Sequence, residues 1–159
     1  MNDDLAEQTV LSCCYQSPLA LERAAAIVSA ADFANLGHQR LWAVLRALKA
    51  EGKPTDAMAV QIALNGDKGL MAVHLAVALN PALPDSVEYH ANVVHGFAAR
   101  RQIITAALQM RQRAENPESD PQSLVSDAVN QLTKIRDLGL CLISVRRLDP
   151  DKPETKPPQ

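Results

Sequence analysis

The chain has 159 residues, 47% apolar and 21% charged, with a formal net charge of −2, which is the balance of one soluble globular domain or a small domain with an appendage. No apolar run approaches the ~18 residues of a membrane span, and Met1-Asn2-Asp3-Asp4 offers neither the basic start nor the apolar stretch of a secretory signal, so a cytoplasmic protein is expected. Its apolar residues include 25 Ala and 20 Leu against 12 Val, 6 Ile and 5 aromatics, a choice that suits helices and starves sheets, so the expected class is all-α.

The first helix is expected from Asp4 to Tyr15, with Leu5, Leu11, Cys14 and Tyr15 available to an apolar face. Ser17-Pro18 restarts the chain, Ser as N-cap and Pro at the first helical position, and a second helix follows through Leu19, Leu21, Ala24, Ala25 and Val28. The third runs from about Leu36 to Ala50, with Leu41, Val44, Leu45 and Leu48 at helical spacing and Gly52 as its stop. Lys53-Pro54-Thr55-Asp56 turns the chain into a short fourth helix through Met58, Ile62 and Leu64, broken by Asn65-Gly66-Asp67. A fifth, Leu70 to Leu79, ends at Asn80-Pro81. Residues 4–80 therefore read as a compact helical head.

The pattern then changes. Ser86 to about Glu115 contains no proline and a single glycine, Gly96, behind an Asp85…Glu88 spacing that resembles a capping box. At 1.5 Å per residue such a helix is about 45 Å long, more than a small head needs. Asn116-Pro117-Glu118-Ser119-Asp120 interrupts it, and Asp120-Pro121 starts a second helix to about Asp137 with the stripe Val125, Ala128, Val129, Leu132 and Ile135. Residues 84–137 thus read as a long antiparallel helical hairpin. Val93, Val94, Phe97, Ile103, Ile104, Ala107, Leu108 and Met110 spread over more than one stripe, so the hairpin carries surplus apolar surface that must meet the head, a second copy or another protein. Residues 138–159 hold a short apolar run, Leu140 to Val145, and then a stretch with four prolines and alternating charge, expected to be linker or disordered tail.

Signals for chemistry are sparse. The Gly-Lys pair Gly52-Lys53 lacks the preceding glycine and following Ser/Thr of a phosphate-binding loop. Of the histidines His38, His74, His90 and His95, the last two stand five apart, off the i, i+4 spacing of two ligands on one helix face, and no thiol or His-Glu pairing completes a metal site. Ser119, Asp120 and His95 have no triad spacing. Cys13, Cys14 and Cys141 fit small buried residues better than a disulfide framework. No catalytic residue, cofactor or metal is expected. The basic pairs Arg100-Arg101, Arg111/Arg113 and Arg146-Arg147 are interrupted by acidic neighbours, which fits solvated faces or ion pairs and speaks against direct DNA binding.

The order of elements, read with certain words of the sequence, resembles a known family. Ala6-Glu7-Gln8-Thr9-Val10-Leu11 is similar to the opening helix of the N-terminal domain of DnaB-type replicative DNA helicases. Asp32-Phe33 with His38, Leu41, Leu48, Gly52, Pro54 and Asp56 resembles the family's next segment. Glu88-Tyr89-His90-Ala91-Asn92-Val93-Val94, with Arg101 and Ile104, resembles the start of its hairpin helix. The likeness covers about residues 4 to 137. Two departures stand out: His95-Gly96-Phe97 replaces a usually charged segment, and His74 stands where Tyr is common.

The resemblance implies a non-catalytic dimerisation and protein-binding module. In the family the hairpins pair and build a collar above a hexameric motor, whose surface receives the primase C-terminal domain or a helicase loader. Implied partners are a second copy or higher oligomer through the hairpin, replicative helicase subunits, and primase or loader, with Val94, Phe97, Ile104, Leu108, Val125, Val129 and Leu132 as candidate dimer-interface residues. The family's ATP-driven motor domain has no counterpart here. That leaves an excised domain, a fragment of an ATP-dependent DNA helicase, or a free-standing regulator or accessory loader acting in trans; the tail Arg146 to Gln159 does not resemble the start of a motor domain and favours a natural stop. An unrelated helical nucleic-acid binder centred on Arg100, Arg101, Arg111 and Arg113 is the reading from another class.

Overall fold

A computed structural model describes residues 3–139, and the expected tail from 140 onward lies outside the described residues. Seven α-helices make up the described fold, and no strand occurs among those residues. The all-α class is what the structure shows.

The first helix, α1 (Asp4–Gln16), is capped by the Asp3 carboxylate accepting from the Ala6 amide at 3.0 Å. It is buried on nearly every side from Thr9 to Tyr15 and forms the axis of the head, touching α2, α3, α5 and α6. Leu5 departs from expectation: it is 67% exposed, on the uncovered side of a first turn whose Ala6 and Glu7 are buried. Ser17 caps α2 (Pro18–Ala25) as its sequence demands. This helix ends before Val28, since Ser29 leaves it to cap a 3-10 turn at Ala30–Asp32, with the Asp32 carboxylate accepting from the Ser29 amide at 2.7 Å.

Asn35 caps α3 (Leu36–Ala50). Gly52, at φ +68°, closes that helix with its own amide on the Lys49 carbonyl and the Lys53 amide on Leu48, a left-handed C-terminal motif that favours glycine. Asp56 and Asp67 cap α4 (Ala57–Ala63) and α5 (Lys68–Ala78), the latter starting two residues before Leu70 because Asp67 accepts from both Gly69 and Leu70. The expected Asp85…Glu88 capping box does not form. A 3-10 turn at Pro84–Ser86 leads into the long helix, and the Ser86 hydroxyl donates back to the Leu83 carbonyl at 2.7 Å instead of capping it.

That long helix, α6 (Val87–Ala114), serves two bodies at once. Its first turns place Val87, Ala91 and Val94 in the head's core beside Val10, Leu11, Leu41 and Phe33. Its second half leaves the head and pairs with α7 (Pro121–Gly139) in an antiparallel hairpin. Asn116 turns the connecting loop, its carbonyl and side chain accepting the Ser119 and Glu118 amides, and Asp120 caps α7 through the Ser123 amide at 2.9 Å. An ion pair at 2.9 Å between Arg113 and Asp127 fastens the distal end.

Candidate functional site

Helical geometry sorts the hairpin's faces. At about 100° per residue, Val87, Ala91, Val94 and Ala98 share one flank of α6, and all four are buried. Ala106 is buried on the side facing α7, where the half-buried Leu124, Ala128, Gln131 and Ile135 form the opposing seam. Round the other flank of α6 lie Gly96, Ile103 and Ala107, continuous on its outer side with Ile104 and Leu108. On α7, Val125, Val129 and Leu132 share an exposed stripe beside the seam. The head therefore covers one flank of α6 and leaves apolar side chains exposed on the helix's other faces. Ile103, Ile104, Leu108, Val125, Val129 and Leu132 are 42–65% exposed, an apolar strip on two adjacent helices.

Six of the seven candidate interface residues lie toward solvent or at its edge, and one does not. Val94 is 1% exposed and packs into the head, so it is no interface residue in this fold. Its apolar character is spent on anchoring α6, because it lies on the flank of Val87 and Ala91. Phe97 is half-buried, with the Arg100 guanidinium 5.3 Å above its ring. Ile104 and Leu108 share a stripe on α6, while Val125, Val129 and Leu132 share one on α7. Ile103 belongs with them and was not among the candidates; its i, i+4 and i, i+7 spacing to Ala107 and Met110 was the available signal.

The arginines of the hairpin are engaged within the chain. Arg101 donates to the Asp32 carbonyl, Arg111 pairs with Glu115 at 3.3 Å, and Arg113 with Asp127. Asp32 is the hub at the hairpin's root, since its carboxylate also accepts from the Ser29 hydroxyl at 2.9 Å and meets His95 Nδ1 at 3.3 Å.

Two buried polar pairs escaped the sequence reading. Glu7 lies 2.8 Å from His38 Nδ1 while its carboxylate accepts the amides of Ala34 and Asn35, so the pairing of a histidine with an acid, absent from the local sequence, is made across α1 and α3. Asp4 stands nearby, giving three potential ligand atoms within 4.8 Å of one another. Both Glu7 oxygens already accept hydrogen bonds, so the cluster's evident work is to close the entry to α3. Burial pushes the Glu7 carboxyl up, but the bonds from His38, Ala34 and Asn35 outweigh it and hold it below the ordinary carboxylate value. The second pair is Tyr15 and His74: the phenol lies 3.0 Å from His74 Nδ1, burial lowers the imidazole's pKa, and burial raises the phenol's. Cys13 and Cys14 are free thiols with no exposed surface, both pushed up by burial.

Against this geometry, the model of the DnaB-like helicase N terminal domain matches residues 2–96, more than half of the chain. The chain belongs to the DnaB-like helicase N-terminal domain family. Relatives include the replicative DNA helicase DnaC of Bacillus subtilis, 24% identical over 135 residues, and the replicative DNA helicase DnaB of Geobacillus stearothermophilus, 27% identical over 135 residues. Each alignment covers 82% of this chain and 30% of the relative, so this chain spans about a third of the length of those helicases. The crystal structure of the N-terminal domain of DnaB helicase from Mycobacterium tuberculosis superposes with a TM-score of 0.74 at 22% identity, covering 84% of this chain and 97% of that one. The DnaB-type fold, helical head and hairpin included, is thus shared, and what is matched is the N-terminal part of the helicase rather than its motor. No helix among the described residues is long and apolar enough to cross a membrane.

Proposed function

We propose that this chain is a non-catalytic dimerisation and protein-docking module of a replicative DNA helicase system, working in the cytoplasm and contributing to, or contacting, the N-terminal collar on which a primase C-terminal domain or a helicase loader sits. The observation that carries the reading is the apolar surface of the hairpin that the head leaves exposed. Within that strip the interface residues are Phe97, Ile104, Leu108, Val125, Val129 and Leu132, joined by Ile103 and Ala107. Two copies can bury the strip against each other through a two-fold axis, because the same patch is presented by both.

Magnitudes set the strength of that pairing. Burying a half-exposed aliphatic side chain contributes roughly 1 kcal/mol. Two copies of the strip therefore offer about 12 kcal/mol gross, against an association cost of ~4–15 kcal/mol. The result is a concentration-dependent dimer rather than an obligate one. Sedimentation across a concentration series tests it: the natural chain should move from monomer to dimer, and a Leu108→Asp/Val129→Asp variant, altered only at exposed positions, should stay monomeric with unchanged helicity. A natural chain that remains monomeric throughout, or a double variant that pairs equally well, overturns the reading.

A further inference from the structure

Where head, α6 and α7 meet lies an open groove of about 360 Å³. Ala31, Ala98, Ala106 and Ile135 give it an apolar floor, while Arg101, Gln102, Thr105, Gln109, Gln131 and Lys134 give it a polar rim. Two cations and no carboxylate line it. The Arg101 guanidinium is held rigidly, since its Nη2 donates to the Asp32 carbonyl, yet its Nη1 is buried without a hydrogen-bond partner among the described residues. Across the groove the Gln131 Oε1 is likewise buried and unpartnered. A buried donor without an acceptor and a buried acceptor without a donor each cost ~1–3 kcal/mol, a cost relieved when the two side chains turn toward the groove to meet a ligand there.

We infer that this groove is a docking site for an acidic side chain of a partner polypeptide, a Glu or Asp whose carboxylate meets Arg101 and Lys134 while a neighbouring N–H group answers Gln131. Inorganic phosphate fits the charge and keeps an O–H donor, but that donor sits on the anion itself, whereas a peptide carries separate N–H donors beside every acidic side chain and can reach Arg101, Lys134 and Gln131 at once. As a statement about the partner, the inference rests on the function proposed above and gives that partner an acidic docking element.

The test titrates the full 15N-labelled chain with the acetylated, amidated peptide Ala-Glu-Ala, and in parallel with Ala-Gln-Ala and with sodium phosphate, following the amides of Ala98, Thr105, Gln131 and Lys134. Saturable millimolar binding of the Glu peptide is expected, weakened about tenfold for the Gln peptide, as befits the loss of a charge-assisted hydrogen bond. The variant is Lys134→Gln, whose exposed side chain leaves the fold alone, and it should lose about tenfold as well. No saturable shift, equal binding of the two peptides, an unaffected Lys134→Gln variant, or phosphate moving the same amides as strongly would each overturn the assignment. Sedimentation of the same samples separates the two proposals: a dimer that ignores the peptide sinks only the groove, and a monomer that binds it sinks only the pairing.

Discussion

Glu7 reaches from α1 to the entry of α3 and replaces water for two backbone amides and one imidazole in a place that water cannot reach. Removing one partner of such a buried group leaves the others stranded, which costs far more than the pair contributes net. Glu7→Ala is therefore expected to lower the unfolding free energy by about 3 kcal/mol or more, and Glu7→Gln, which keeps an acceptor, by less; urea denaturation at neutral pH measures both. Because its folded pKa is depressed, the carboxylate's stabilisation is fully present above about 4.5 and is lost as pH falls through the lower folded value. His74 acts in a higher window. Its imidazole is lowered from 6.5 by burial, so the unfolded state takes up the proton first, and stability falls as pH drops below 6.5. His74→Gln retains an acceptor for the Tyr15 hydroxyl but cannot titrate. It should be less stable than the natural chain at about pH 7.5, and that difference should shrink toward about pH 5.5. A difference that holds constant with pH would show that burial leaves the folded imidazole at its ordinary pKa.

At the scale of elements, α6 is the unusual piece, a single helix that is core in its first half and exposed hairpin in its second. Gly96 sits in the region where it leaves the head, and a Cβ built there meets nothing within 4 Å. Glycine inside a helix costs ~0.5–1 kcal/mol relative to alanine, and nothing within the described chain requires it. Gly96→Ala should accordingly raise the midpoint of thermal unfolding by a few degrees in dilute solution, where the chain is monomeric. A lower midpoint there would mean that the open space at Gly96 is not open in solution.

The whole molecule shows which parts of this arrangement could be read from the amino-acid order. Helix ends were legible where their causes are local and familiar: Ser17-Pro18, Gly52, Asp56 and Asp120-Pro121 each act within a few residues of the boundary they set, while the caps at Asn35 and Asp67 were not read. The hairpin's surplus of apolar stripes was legible by spacing. Which stripe the head would take was not, since that depends on contacts such as Asp32 with His95, 63 residues apart, and Arg101 with Asp32, 69 apart. Val94 was misassigned for that reason, and the Glu7–His38 pair was invisible because 31 residues separate its members. Once the head is seated on one flank, apolar surface remains bare elsewhere on the hairpin, and under the proposed pairing stability becomes a function of how many copies are present. Anything that binds only the folded chain stabilises it by mass action, a second copy included. The melting midpoint of the natural chain should therefore climb with protein concentration. That of the Leu108→Asp/Val129→Asp variant should stay flat and coincide with the natural chain's at high dilution, because both substitutions sit on surface that the monomer leaves in water. A concentration-independent midpoint in the natural chain would mean that two copies do not cover the strip, and the search for its partner would move to the helicase assembly itself.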